Sequence, residues 1–498
     1  MPKRDKLFLL VKSMTKSEKR YFSIYTKMHI KGDDNDYMKL FKAFEKQETL
    51  NENEIRQWLQ GEKLMEHYAV TKSYLYDLIL KAMRSYSKHS ADKKVMDILQ
   101  DVEFLYTKGI FDQALQLNRK ARELAWESGL VAAMDLILHW EKLIHLATGF
   151  SFIKEDRLRI IAEQQDKVHA NREELHLLWL LCANMALRQR KGLLNRGPIN
   201  AQLEERITLP PVPIDPELNN YRVYFLDLYA RALHASFGEN AEDALVWIQE
   251  ITKFMESEGD RWLRHPYLYS RALTDRLELE IDLNHLDAAK QTLDYIQTTH
   301  RFKELNTYFD AWRQFVIVFG RVLIHFHHDA AKEGIRFQTD VRNVLKKFAP
   351  FINPIRELEF SFLIGYFCYR MEDWEQAEEY FNEMVHEADE TTPTHLITAA
   401  WMLRILALVQ LDNRKRVLRV AERFLTFLEE TKGLSDAESQ LAPVARFLTN
   451  HSGSSSLAQD LSHFLQKHQD KFQQLPILVG NRRYFNRMVH LLQNNPIL

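Results

Sequence analysis

Residues 361–381 read SFLIGYFCYRMEDWEQAEEYF, and the fold depends on how this stretch is read. Ile364 and Gly365 lie in an apolar run at helical spacing, and Trp374, Ala377 and Phe381 form a second run beyond a polar break. Gly365 to Ala377 is twelve residues and Ala377 to Phe381 is four. Two antiparallel helices joined by a tight turn approach closely only where the crossing residues are small. The stretch therefore predicts a helical hairpin.

Weaker copies appear on either side. Gly109, Phe111, Ala114 and Ala121 fit a turn and its second helix; Ala232, Ala241 and Ala244 fit another; Leu286, Ala289, Leu293 and Ile296 fit a third. The small residues of successive second helices fall at 114, 244, 289 and 377, with Val417 in the fifth such place. Their gaps of 130, 45, 88 and 40 residues approximate multiples of roughly 43.

This pattern resembles the tetratricopeptide motif, whose period of about 34 residues is shorter. The resemblance spans residues 95–430 and implies an all-α fold, a right-handed α-α superhelix with a helical N-terminal region. The blocks from Leu7-Phe8 through Lys19-Arg20-Tyr21-Phe22, and Val70 to Tyr76, are similar to an uncharacterised group of bacterial repeat proteins, which implies no activity.

Composition agrees with helices. The 498 residues include only 15 Gly and 13 Pro, few breakers for so long a chain. Cys182 and Cys368 lie far apart in apolar stretches, which predicts buried free thiols and excludes a disulfide framework. No run of 18 uncharged apolar residues predicts a spanning helix, and the Leu7–Val11 run is too short for a signal-peptide core. A cytoplasmic location without membrane association is the expectation.

Charge divides the chain. Residues 1–94 hold 20 Lys and Arg against 13 Asp and Glu, whereas the whole chain carries −2. In this basic part, Thr15 to Glu18 has capping-box spacing, ahead of a helix with Tyr21, Phe22, Ile24, Tyr25 and Met28 on one broad face. Gly32 to Asn35 breaks it. Tyr37, Leu40, Phe41 and Phe44 form a second helix. Asn51 with Glu54 caps a third, which carries Ile55, Trp58 and Leu59. Thr71 is expected to cap a fourth, with Leu75, Leu78, Ile79, Ala82 and Met83 inside. Repeat arms are expected at 95–190 and 220–450. Between them, 191–219 holds five of the prolines and reads as a long loop. Residues 451–456 read as a flexible connection to a helical cap over 457–498.

Catalytic patterns are lacking. The chain has no Gly-x-Gly-x-x-Gly, Gly-x-x-x-x-Gly-Lys, His-Glu-x-x-His or Gly-x-Ser-x-Gly, so a non-enzyme without a cofactor is expected. His325 and His328 share a helix face with Glu333 beyond, too few ligands for zinc, so no metal is assigned.

Two surfaces remain. The resemblance implies that first helices line a groove, at positions Glu103 and Tyr106, Tyr229 and Ser236, Arg271, Thr274 and Glu278, and Glu359, Phe362, Tyr366, Tyr369 and Arg370. Aromatic rings beside charges suit the capture of a protein or peptide. The leading reading is a protein-interaction scaffold. The alternative is a regulator whose basic part binds nucleic acid through Lys72, Tyr74, Tyr76, Lys81 and Arg84, with Lys12, Lys16, Lys19 and Arg20 upstream.

Overall fold

The computed structural model describes residues 5–29, 36–47, 50–86, 91–151, 153–190, 201–215, 218, 220–237, 240–257, 266–299, 305–348, 351–389, 391–431, 434, 436–451, 454, 456–468 and 483–493. Among these every regular element is helical, so the fold is all-α. The chain divides into two compact units. The N-terminal unit comprises Asp5–Ala183 with Ile199–Ala230, and the C-terminal unit is built mainly from Arg231–Leu498.

The N-terminal unit begins with helices Lys6–Ser13, Lys16–His29, Asp36–Lys46, Glu52–Trp58 and Tyr68–Tyr86. The capping box forms as expected. Glu18 N–H donates to Thr15 Oγ1 at 3.2 Å, and Thr15 N–H donates to Glu18 Oε2 at 2.7 Å. The second capping pair is altered. Asn51 accepts from Glu54 N–H, but Asn51 N–H donates to the side-chain Oε1 of the buried Gln47, at 2.9 Å, and not to Glu54. Thr71 is not a cap. A short 3-10 turn, Lys63–His67, feeds directly into the helix, and the Thr71 hydroxyl bonds back to the His67 carbonyl. The broad apolar face of the Lys16–His29 helix is also narrower than expected. Phe22 and Tyr25 are buried, while Ile24 and Met28 point to solvent.

Beyond residue 90 one turn recurs. A residue donates its N–H to the carbonyl five positions back, and the residue before it adopts positive φ. This joins Ile110 to Leu105, Leu130 to Ala125, His285 to Glu280, Ala330 to His325, Asp373 to Cys368 and Asn413 to Leu408. The positive-φ residues are Gly109, Gly129, Asn284, Asp329, Glu372 and Asp412. Such bonds satisfy the last carbonyls of one helix while the next begins at once. Asn240 N–H donates to the Ala235 carbonyl with the same five-residue spacing.

The fourth residue after each of several of these turns is buried: Ala114, Ala244, Ala289, Ala377 and Val417. The 88-residue gap in the sequence pattern holds a further copy. Four residues after Ala330 stands Gly334, and a Cβ there would run into the ring of Phe367. In the quoted hairpin, helices Pro354–Arg370 and Trp374–Glu387 pack together. The nearest atoms to a Cβ on Gly365 belong to Tyr380 and Phe381, at 3.0 Å, rather than to Ala377.

Two segments depart from the hairpin pattern. Glu155–Arg190 is a single helix of 36 residues, spanning about 54 Å at 1.5 Å per residue. The stretch read as a proline-rich loop contains a helix, Ala201–Thr208, because no Gly or Pro falls between Pro198 and Pro210. Residues 191–200 lie outside the described residues, as do Gly32 to Asn35 and, within 451–456, residues 452, 453 and 455. The chain just after Thr208 is pinned by the buried Asp227, which accepts from Val212 N–H at 2.7 Å and from Arg206 at 3.3 Å.

Candidate functional site

A groove of about 720 Å³ opens within the N-terminal unit. Four helices build it: Ala91–Thr107, Val131–Ala147, Glu155–Arg190 and Tyr221–Phe237. Its walls are apolar, with Val131, Leu175 and Val223 among them. Three large side chains at its edge face water: Met96, Leu136 and Trp179, the last 58% exposed. Exposed apolar side chains gathered in one concavity make it a candidate binding surface. Asp92, Arg172, His176 and Arg222 supply polar groups. Arg172 pairs with Asp135.

None of the groove positions expected from the sequence lines this cavity. Glu103 is exposed on the Ala91–Thr107 helix. Tyr106 is half-buried, edge-on to Phe111 and Trp140 at 5.6 and 5.5 Å. Tyr229 stacks on Phe225 at 5.8 Å, and the Ser236 hydroxyl bonds to the Ala232 carbonyl.

In the C-terminal unit the expected positions do meet, largely in the interior. Glu278 and Glu359 are both buried, and Arg356 bridges them at 2.5 and 2.8 Å. Arg483 adds bonds to Glu278 at 2.9 Å and to Asp282 at 3.0 Å. Burial raises the Glu278 carboxyl, but Arg356, Arg483 and Arg271 outweigh it and hold the group at about 2. At Asp282 burial wins over Arg483, with Glu278 adding to the rise, and the carboxyl is pushed up to about 7. Burial likewise raises Glu359 and Asp275.

Tyr366 is fully buried, and its hydroxyl donates to Asp329 at 2.7 Å; Arg370 pairs with the same carboxylate at 2.9 Å. Phe362 and Tyr369 are buried as well, Tyr369 edge-on to Trp374. These rings fill the contacts between helices and offer no surface to a ligand. Arg271 and Thr274 instead line a smaller cavity of about 180 Å³ with Tyr267, Tyr308 and Trp312. There Trp312 Nε1 donates to the Thr274 hydroxyl at 3.0 Å, and Arg271 pairs with Asp275 at 2.9 Å.

The basic cluster is partly committed to internal pairing. Lys72 bridges Asp5 and Glu52 and lies over the rings of Phe44 and Tyr68. Tyr76 is half-buried against the N-terminal core. Tyr74, Lys81 and Arg84 are exposed along one face of the Tyr68–Tyr86 helix, with Asp77 between them; Tyr74 packs on Tyr37 at 4.9 Å. Upstream, Lys12 bonds the Glu45 carbonyl and Lys19 pairs with the Glu45 side chain, whereas Lys16 and Arg20 are exposed.

Cys182 and Cys368 are buried free thiols, which burial raises to about 12 and about 11. His325 stacks on Phe337, and among the described residues no group of three or more His, Cys, Asp or Glu converges as a metal site. No described helix is long and apolar enough to cross a membrane. No protein-family model, curated protein or solved structure matches the chain.

Proposed function

We propose that this chain is a non-enzymatic interaction scaffold, a tetratricopeptide-like solenoid that binds a protein segment in the groove of its N-terminal unit. The recurring turn supports a repeat architecture. Matching turns at Asn240, His285, Ala330, Asp373 and Asn413 stand 45, 45, 43 and 40 residues apart. Units that share a turn and a small buried residue bury their faces against their neighbours. A cytoplasmic place of action belongs to the same reading.

One observation carries the binding assignment: Met96, Leu136 and Trp179 stand exposed around a single apolar groove. An aromatic anchor with aliphatic walls suits the apolar side of a peptide, while polar residues at the rim fix its register.

The test is selection of peptides from a displayed library against the purified chain, followed by titration of the winners. Trp179→Ala and Leu136→Asp should each weaken binding at least tenfold. Selected peptides that bind both variants unchanged would remove the groove as the site.

The regulator reading rests on Tyr74, Lys81 and Arg84, the part of the basic cluster that faces water on one helix side. With Lys72 held in ion pairs and Asp77 within the stripe, it has less support than the groove.

A further inference from the structure

In the C-terminal unit, helices Pro266–Asp282, Thr307–His327, Pro354–Arg370 and Thr394–Gln410 are the first members of successive pairs and pack side by side. One further helix, Arg483–Gln493, touches all four. Arg483 reaches Glu278 on the first. Arg487 donates to the Phe326 and His327 carbonyls on the second. Tyr484 meets Phe362 of the third at 5.0 Å, and the helix packs on the fourth.

The docked helix reads as a ligand. Tyr484, Phe485, Met488, Leu491 and Leu492 fall at i, i+1, i+4, i+7 and i+8 and are buried. That is the spacing of an amphipathic helix laid in a groove. Its two arginines are met by groups suited to cations. Arg483 enters a cluster in which Glu278, Asp282 and Glu359 outnumber Arg356 and Arg483. Arg487 closes on the last carbonyls of a helix, where the helix dipole is negative.

Among the described residues, Arg483 Nε and Nη1 and the Tyr484 hydroxyl are buried without a hydrogen-bond partner. Ion pairs taken out of water add specificity more readily than stability. The placed arginines make the seat selective for a helix that carries both.

We infer that this row of first helices is a receptor for an amphipathic helix with two arginines four residues apart, the first followed by an aromatic residue. Residues 483–493 are its resident occupant, exchangeable for such a helix presented by another protein. The inference is independent of the N-terminal groove.

The experiment uses the full chain and a fluorescent peptide of residues 481–498, read by anisotropy. Wild-type chain should bind the peptide weakly, because its site is filled. Arg483→Ala with Arg487→Ala in the chain should strengthen binding at least tenfold. Adding Glu278→Gln should reverse that gain, and a peptide lacking both arginines should not bind. Absence of a gain in a double variant with wild-type circular dichroism overturns the proposal, as does a gain indifferent to Glu278→Gln. Should the double variant unfold, hydrogen exchange in wild-type chain decides. Excess isotope-labelled peptide must raise uptake in the chain's own 483–493 segment at least threefold; unchanged uptake overturns the proposal.

Discussion

Arg483 Nη2 donates to Glu278 Oε2 at 2.9 Å across 205 residues of chain. The same nitrogen lies 3.0 Å from Asp282 Oδ2. Truncating one partner of a buried pair leaves the other charge uncompensated, which costs about 3–5 kcal/mol. Arg483→Met should therefore destabilise the C-terminal unit strongly. Adding Glu278→Gln should recover part of the loss, because it removes the ionised carboxylate that has lost one of its guanidinium partners. Denaturant melts of the two single variants and the double variant check this; simple additivity would contradict the pairing.

Stability should also respond to pH through this cluster. Asp282 has its carboxyl raised from 3.8 to about 7, so between those values the folded chain holds a proton that the unfolded chain has released. Its contribution to stability therefore falls as pH rises through that window, by up to about 1.4 kcal/mol per pH unit. Glu278 has the opposite sign. Held at about 2 against an ordinary 4.5, it contributes stability that is present above 4.5 and lost as pH falls towards 2. Urea melts from pH 5 to 8 should show wild type losing stability relative to Asp282→Asn. Parallel curves would exclude the raised carboxyl.

Much of this architecture is visible in the sequence. Scarce Gly and Pro predict helices, and the spacing from Thr15 to Glu18 marks a helix start that the hydrogen bonds reproduce. The small residues at 114, 244, 289 and 377 mark real positions after a common turn. Gly334 escapes notice because glycine reads as a breaker, although here it makes room for Phe367. The candidate sites are harder to see. Periodicity places Glu278, Glu359 and Tyr366 on helix faces but does not reveal that a helix some 120–200 residues later covers part of that row. The N-terminal groove draws on residues from 92 to 226, and no local pattern joins Met96 to Trp179.

The two hairpin glycines give a graded prediction. Alanine in place of helical glycine ordinarily stabilises by about 1 kcal/mol. At Gly334 the added methyl would overlap the buried Phe367 ring, and overpacking of this kind costs about 1–3 kcal/mol. At Gly365 the nearest atoms lie at 3.0 Å, so a shift of a few tenths of an ångström suffices. Gly334→Ala should lower Tm more than Gly365→Ala. Thermal melts giving the reverse order would refute the close approach of Gly334 and Phe367.

Nucleic-acid binding, if carried by the Tyr68–Tyr86 helix, depends on Lys81 and Arg84, since Lys72 is held between Asp5 and Glu52. Two phosphate contacts give a salt slope of about −2 in log K against log salt. Mobility shifts of the full chain on duplex DNA should therefore fade well below physiological salt, and Lys81→Glu with Arg84→Glu should abolish them. A steep slope that survives both substitutions would place the contact elsewhere.

Adjacent positions on the Glu155–Arg190 helix separate binding from folding. Leu178 is fully buried, whereas Trp179 is 58% exposed at the groove. Leu178→Ala removes packed methyl groups and should cost about 2–5 kcal/mol. Trp179→Ala removes surface that faces water, and its cost should stay within about 0.5 kcal/mol. Peptide affinity should show the other order, because the indole supplies contact area to a ligand at little cost in side-chain freedom. A Trp179→Ala variant that melts early, or that binds selected peptides as wild type does, would mean that the indole serves the fold rather than the groove.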